Sequence, residues 1–140
     1  MKKLFIFFVF LFIFGCSSVV FEQVEINNAV IDVETVKSSE EIIKGLSLRE
    51  SLDENKGMLF IFDKPGRYDF WMKDMRFSLD ILFISEDLRI IRIIFADPCL
   101  GDFCESYSPE EDFRYVLEVN NGFSVDNGVK EGDLVRFRLQ

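Results

Sequence analysis

The chain predicts a mainly β (α+β) domain: a compact barrel-like sheet of about seven strands with one or two short helices. Three observations carry this. Short apolar runs rich in β-branched and aromatic residues recur along the sequence. Gly, Asn, Asp and Pro turn signals separate them. Several runs, Met58 to Phe62, Phe70 to Met72 and Ile90 to Phe95, are apolar on both faces, where a sheet with one wet face would alternate. Burial on both faces points to a closed or nearly closed barrel whose outer face is partly covered by helix and loops.

Each element has its own signal. Ala29 to Val36 alternates and is rich in β-branched residues, so it reads as a strand. Ser38 and Glu41 stand in capping-box spacing at the start of a short helix, with Ile42, Ile43 and Leu46 on one face. Leu48 to Lys56 is polar and reads as a loop. Met58 to Phe62 is a strand, and Asp63-Lys64-Pro65-Gly66 is a turn signal. Tyr68 to Met75 and Leu79 to Ile84 read as strands. The second of these turns through Ser85 to Leu88 into Arg89 to Phe95 as a hairpin. Glu110 to Asp112 is an exposed acidic stretch. Tyr115 to Val119 is a strand, Asn121-Gly122 turns, and Leu134 to Leu139 is the last strand.

Composition excludes several functions. The 140 residues hold 16 Lys plus Arg, 25 Asp plus Glu and no His, a formal charge of −9. Without His there is no Ser-His-Asp triad, no Cys-His pair and no His-liganded zinc site. Neither metal nor cofactor is expected. An acidic balance argues against nucleic acid, whose phosphates need a basic patch.

The N-terminus reads as a targeting segment. Met1-Lys2-Lys3 precedes the apolar run Leu4 to Phe14, then Gly15-Cys16-Ser17-Ser18. Eleven apolar residues span about 16 Å as helix, against roughly 30 Å of hydrocarbon core. That is too short to cross a bilayer and suits a signal h-region. Ile13-Phe14-Gly15-Cys16 resembles a bacterial lipobox, although Phe14 departs from the usual small residue. The expected organisation is a signal peptide over 1–15, a lipidated N-terminus and short tether over 16–23, and one globular domain over 24–140. Ordinary cleavage nearby, or an uncleaved anchor extended by Val19 to Phe21, are the alternatives. Losing Lys2 and Lys3 would move the side-chain balance from −9 to −11. The expected location is therefore extracytoplasmic, in the bacterial cell envelope. Lipid on Cys16 would hold the domain to the membrane, with its acidic surface repelled by anionic head groups.

With Cys16 lipidated, Cys99 and Cys104 remain as an even pair, which beside a signal peptide reads as a disulfide. Four intervening residues is not the C-x-x-C spacing of oxidoreductases. A metal site would need more ligands.

Residues able to carry recognition cluster around Phe70 to Met75. In a strand, Trp71, Lys73 and Met75 share one face and Phe70, Met72 and Asp74 the other. A rigid aromatic, a cation and a thioether suit a pocket for a flat or acidic ligand. Lys73 folded across a half-buried Trp71 at the surface is the plainer alternative. Asp80 shares a face with Leu82 and Ile84, and a buried carboxylate needs a partner. Arg92, between Ile90 and Ile94, is the candidate, provided the hairpin register aligns them. Arg49 is an isolated cation near the Gly57 to Phe60 run. The candidate binding set is thus Arg49, Trp71, Lys73, Asp74, Asp80 and Arg92. No catalytic constellation is identifiable, though carboxylates alone can hydrolyse glycosides.

The segments Lys44 to Leu52, Gly57 to Phe62, Phe70 to Met75 and Leu79 to Ile84 follow one another in a familiar register. Pro98-Cys99, Cys104, Tyr107, Val116 to Val119 and Gly132-Asp133 continue it. Together, over about residues 24 to 139, they resemble the domain-of-unknown-function 192 family. Ser47 stands where that family usually has Met, and Asp74 where it often has Asn. The resemblance implies a compact β-rich domain, frequently exported, with the Cys pair disulfide-bonded in exported members. It implies no reaction. The leading expectation is a non-enzymatic lipoprotein domain binding a small molecule or an envelope protein. A carboxylate-only hydrolase and a pocketless protein-interaction module are the alternatives.

Overall fold

The computed structural model describes residues 22–139. The expected signal peptide, Cys16 and most of the expected tether lie outside the described residues. Nine strands and two short helices follow in order: β1 (Gln23–Ile26), β2 (Ala29–Val36), α1 (Ser39–Lys44), β3 (Lys56–Gly66), β4 (Phe70–Trp71), β5 (Leu79–Ile84), β6 (Ile90–Ala96), β7 (Ser106–Tyr107), β8 (Phe113–Asn120), α2 (Phe123–Asp126) and β9 (Val135–Arg138). Seven of the strands form one sheet in the order β6-β5-β8-β3-β2-β1-β9, and β4 pairs with β7 alone.

The sheet curls into a partly closed barrel. Its edges meet where Arg89 bridges Leu134, with Ile90 N–H donating to Asp133 at 3.0 Å and Val135 N–H donating to Leu88 at 2.8 Å. One apolar cluster takes residues from all seven strands, including Val24, Ile31, Leu59, Leu82, Ile90, Leu117 and Val135. It is the barrel interior. The alternate residues of the central strands, Met58, Phe60, Ile81, Phe83 and Val116, build a second cluster on the outer face. β5 is therefore buried at every position.

The covering of that outer face follows from one parallel pair. β2 and β3 run parallel, so the chain must cross over between them. The crossover carries α1, started by the predicted capping box: Glu41 N–H donates to the Ser38 hydroxyl, and Ser38 N–H donates to the Glu41 carboxylate. Ile42 and Leu46 pack onto the outer cluster, whereas Ile43 is exposed. Phe70, Met72 and Met75 lie over the same face, and an aromatic cluster runs through it. Phe83 meets Phe113 at 4.9 Å and Phe60 meets Phe70 at 5.2 Å, both edge to face.

Several elements differ from expectation. Asp63 to Gly66 is no turn, because β3 continues through it after an irregularity and Gly66 pairs with Phe113. Only Phe70–Trp71 of the expected Tyr68 to Met75 strand is extended. Asp74 adopts φ +59° and breaks it. β1, not predicted, forms a hairpin with β2 through Asn27-Asn28, with Asn27 at φ +54°, a conformation that Asn tolerates.

Candidate functional site

A pocket of about 420 Å³ lies on the outer face of the sheet, between α1 and the segment from Arg67 to Met75. That size is ordinary for a small-molecule site. Its buried lining is Leu46, Phe60, Phe62, Phe70, Met75 and Glu118. Its exposed rim holds Ile43, Lys44, Arg67, Asp69, Trp71 and Lys73. The chain turns into this wall at Gly45, whose φ is +46° and where an added Cβ would lie 3.4 Å from the Phe60 ring.

Glu118 is the unusual member. It lies on β8 between Val116 and Val119, and its neighbours across the sheet are Met58 on β3 and Ile81 on β5. It is 6% exposed. No hydrogen bond or ion pair joins its carboxyl to any described residue. Burial pushes its pKa up to about 8, because an unpaired carboxylate among apolar groups is poorly solvated. At neutral pH this floor is a neutral acid, able to donate one hydrogen bond and accept others.

The structure brings together part of the predicted binding set. Trp71 and Lys73 both reach the pocket, as does Met75. The Lys73 ammonium sits 5.9 Å over the Trp71 ring, and Trp71 is half exposed, as the plainer surface reading also required. Lys73 is positioned by a bridge to Cys99 and by Cys99 N–H donating to Met72 at 3.1 Å. Cys99 is disulfide-bonded to Cys104.

The other four candidates lie elsewhere. Arg49 makes a two-pronged bond to Glu34, at 2.6 and 2.7 Å. Asp74 is exposed at its positive φ, and its carbonyl accepts from Leu48 N–H. Asp80 does not meet Arg92: the register pairs Asp80 with Phe95 and Arg92 with Phe83, so the two point to opposite faces. Asp80 is fully buried and accepts from Gly122 N–H at 3.1 Å and Ser124 N–H at 2.8 Å. It caps the start of α2. Arg92 reaches Glu131 on the surface at 3.6 Å. Of the acids that a carboxylate-only hydrolase could draw from this set, Asp80 is engaged by backbone donors and Asp74 lies outside the pocket.

Sequence reasoning passed over Glu118, yet the signal was available. A lone acid in Val116-Leu117-Glu118-Val119 is the same pattern that marks Asp80 between Leu79 and Ile81. A second, polar depression is lined by Asn28, Asn55, Asn120, Asn121 and Asn127 among others. The Asn120 and Asn127 amides there donate to carbonyls of Leu52, Asp53 and Phe123.

The profile of the DUF192 family, described as "Uncharacterized ACR", matches residues 22–137. No curated protein matches the chain. A protein of unknown function from Novosphingobium aromaticivorans is similar in structure, with TM-score 0.76 and 29% identity over 86% of this chain and 88% of that one. A Sinorhizobium meliloti protein described as a candidate transcription regulator gives TM-score 0.78 and 29% identity over 88% and 98%.

Proposed function

Because the chain belongs to the DUF192 family, and that family is uncharacterized, we propose its function from the pocket: it is a small-molecule binding domain. It is held on an extracytoplasmic membrane face by lipid on Cys16. The observation that carries the binding reading is Glu118, a nearly buried carboxyl with no partner among the described residues, set in an otherwise apolar pocket floor. A group of that kind costs free energy in the empty protein. A ligand that supplies the missing hydrogen bond recovers it. Trp71 gives the ligand a flat apolar surface at the entrance, and Lys73 gives it a charge. The net charge of −9 disfavours nucleic acid as the partner.

Native mass spectrometry of the full chain, gently extracted from the envelope, tests the site. The expected result is a discrete added mass that is lost on denaturation and lost from both Trp71→Ala and Glu118→Leu. An adduct retained in both variants would overturn the assignment. The anchor is tested separately by fractionation. Cys16→Ser is expected to shift the protein from the membrane to the soluble fraction, and a variant that stays membrane-bound would show that Leu4 to Phe21, not lipid, holds it.

A further inference from the structure

Lys44 and Lys73 are the two lysines that line the pocket. The acidic residues of this chain occupy most of its arginines: Glu34 with Arg49, Glu50 with Arg76, Glu86 with Arg114, Glu25 with Arg136 and Arg138. Acids outnumber bases by 25 to 16. Even so, Lys44 and Lys73 form no ion pair among the described residues, and both lie on the pocket rim. Arg67 stands beside them, joined to Asp112 only by a 3.9 Å contact between exposed groups. One acid, Asp69, shares the rim. An anionic protein thus presents a locally cationic opening, and such an opening favours entry of anions.

Below that opening the wall is aromatic, and at the floor Glu118 waits without a partner. Resting on the binding reading above, we infer that the occupant is an amphipathic organic anion. Its charged head lies at Lys44 and Lys73, its apolar body against Phe60, Phe62 and Phe70, and a hydroxyl or carbonyl at its far end meets Glu118. Two lysine ammoniums give the head charge-assisted hydrogen bonds. The neutral form of Glu118, which burial favours, can donate to a carbonyl or accept from a hydroxyl without repelling the anion. A cationic ligand would have to pass the lysines first.

Trp71 is the only tryptophan in the chain, so its fluorescence reports the pocket directly in the full-length protein. Four probes share one phenylpropyl body: 3-phenylpropionate, 3-(4-hydroxyphenyl)propionate, 3-phenylpropan-1-ol and 3-phenylpropylamine. The acid is expected to bind about tenfold more tightly than the alcohol, and the amine most weakly. The phenolic hydroxyl is expected to add a further few-fold, a gain that Glu118→Leu removes. In the Lys44→Ala, Lys73→Ala double variant the ratio of acid to alcohol affinity should fall close to one. An amine that binds more tightly than the acid would overturn this inference while leaving the pocket a binding site. So would an acid-to-alcohol ratio that survives the double variant. Failure of all four probes to perturb Trp71 would overturn the binding reading itself.

Discussion

Glu118→Leu is expected to make the domain more stable and to remove most of the difference in its stability between pH 5 and pH 9. The sign follows from proton binding. The carboxyl titrates near 4.5 in the unfolded chain and near 8 when folded. Between those values the folded state holds a proton that the unfolded state has released. Stability therefore falls as pH rises through this window, by about 1.4 kcal/mol per pH unit. It is unaffected by this group below the window and levels off above it. By pH 7 the loss is of order 3 kcal/mol, a large share of the roughly 5–15 kcal/mol that holds a typical domain together. Other carboxylates titrate in both proteins, so the measurement is the difference between wild type and variant in urea unfolding at a series of pH values. A difference that stays constant from pH 5 to pH 9 would show that Glu118 ionises freely and is not confined as described. A natural protein that keeps so unfavourable a group in its core is best understood if the group serves binding.

The other buried acid should respond in the opposite direction. Asp80→Ala is expected to destabilise the domain by roughly 3–5 kcal/mol at neutral pH. Both carboxylate oxygens are in use, one on Gly122 N–H and one on Ser124 N–H. Those donors start a helix of only four residues, Phe123–Asp126, whose N-cap Gly122 has no capping side chain of its own. Deleting the acid leaves two N–H groups without partners beside a closed core. Asp80→Asn keeps one acceptor oxygen and should cost about half as much. Urea midpoints at constant m-value measure this. Equal stability of Asp80→Ala and wild type would mean that water replaces the cap and that the site is open. The two acids thus separate by experiment: removal of one strengthens the fold, and removal of the other weakens it.

The barrel was legible where local pattern and tertiary packing agree. β5 and β6 have runs long and apolar enough to leave no other reading, and the Ser38–Glu41 box starts its helix for purely local reasons. Reading failed where distant contacts decide. Asp63-Lys64-Pro65-Gly66 carries every local turn preference, yet it extends β3 because Phe113 pairs with Gly66 across the strand. Gln23–Ile26 is too short to announce itself and is a strand because β2 and β9 flank it. The site divides in the same way. Trp71 and Lys73 are chemically conspicuous at any position. Glu118 differs from Asp80 only in what faces it: backbone donors in one case, a cavity in the other. No local signal distinguishes these, since the donors come from residues about forty positions away.

The place of β1 bears on how the chain acquires its shape. Its partners are Asp32 on one side and Arg138 on the other, each paired with Gln23. Among the described residues the first strand is thus completed by the last, and that edge cannot close before residues 135–138 are made. Pairings of such long range fold slowly, in about milliseconds to seconds. Clipping β9 after folding would strip β1 of one neighbour and open an unprotected edge to other chains.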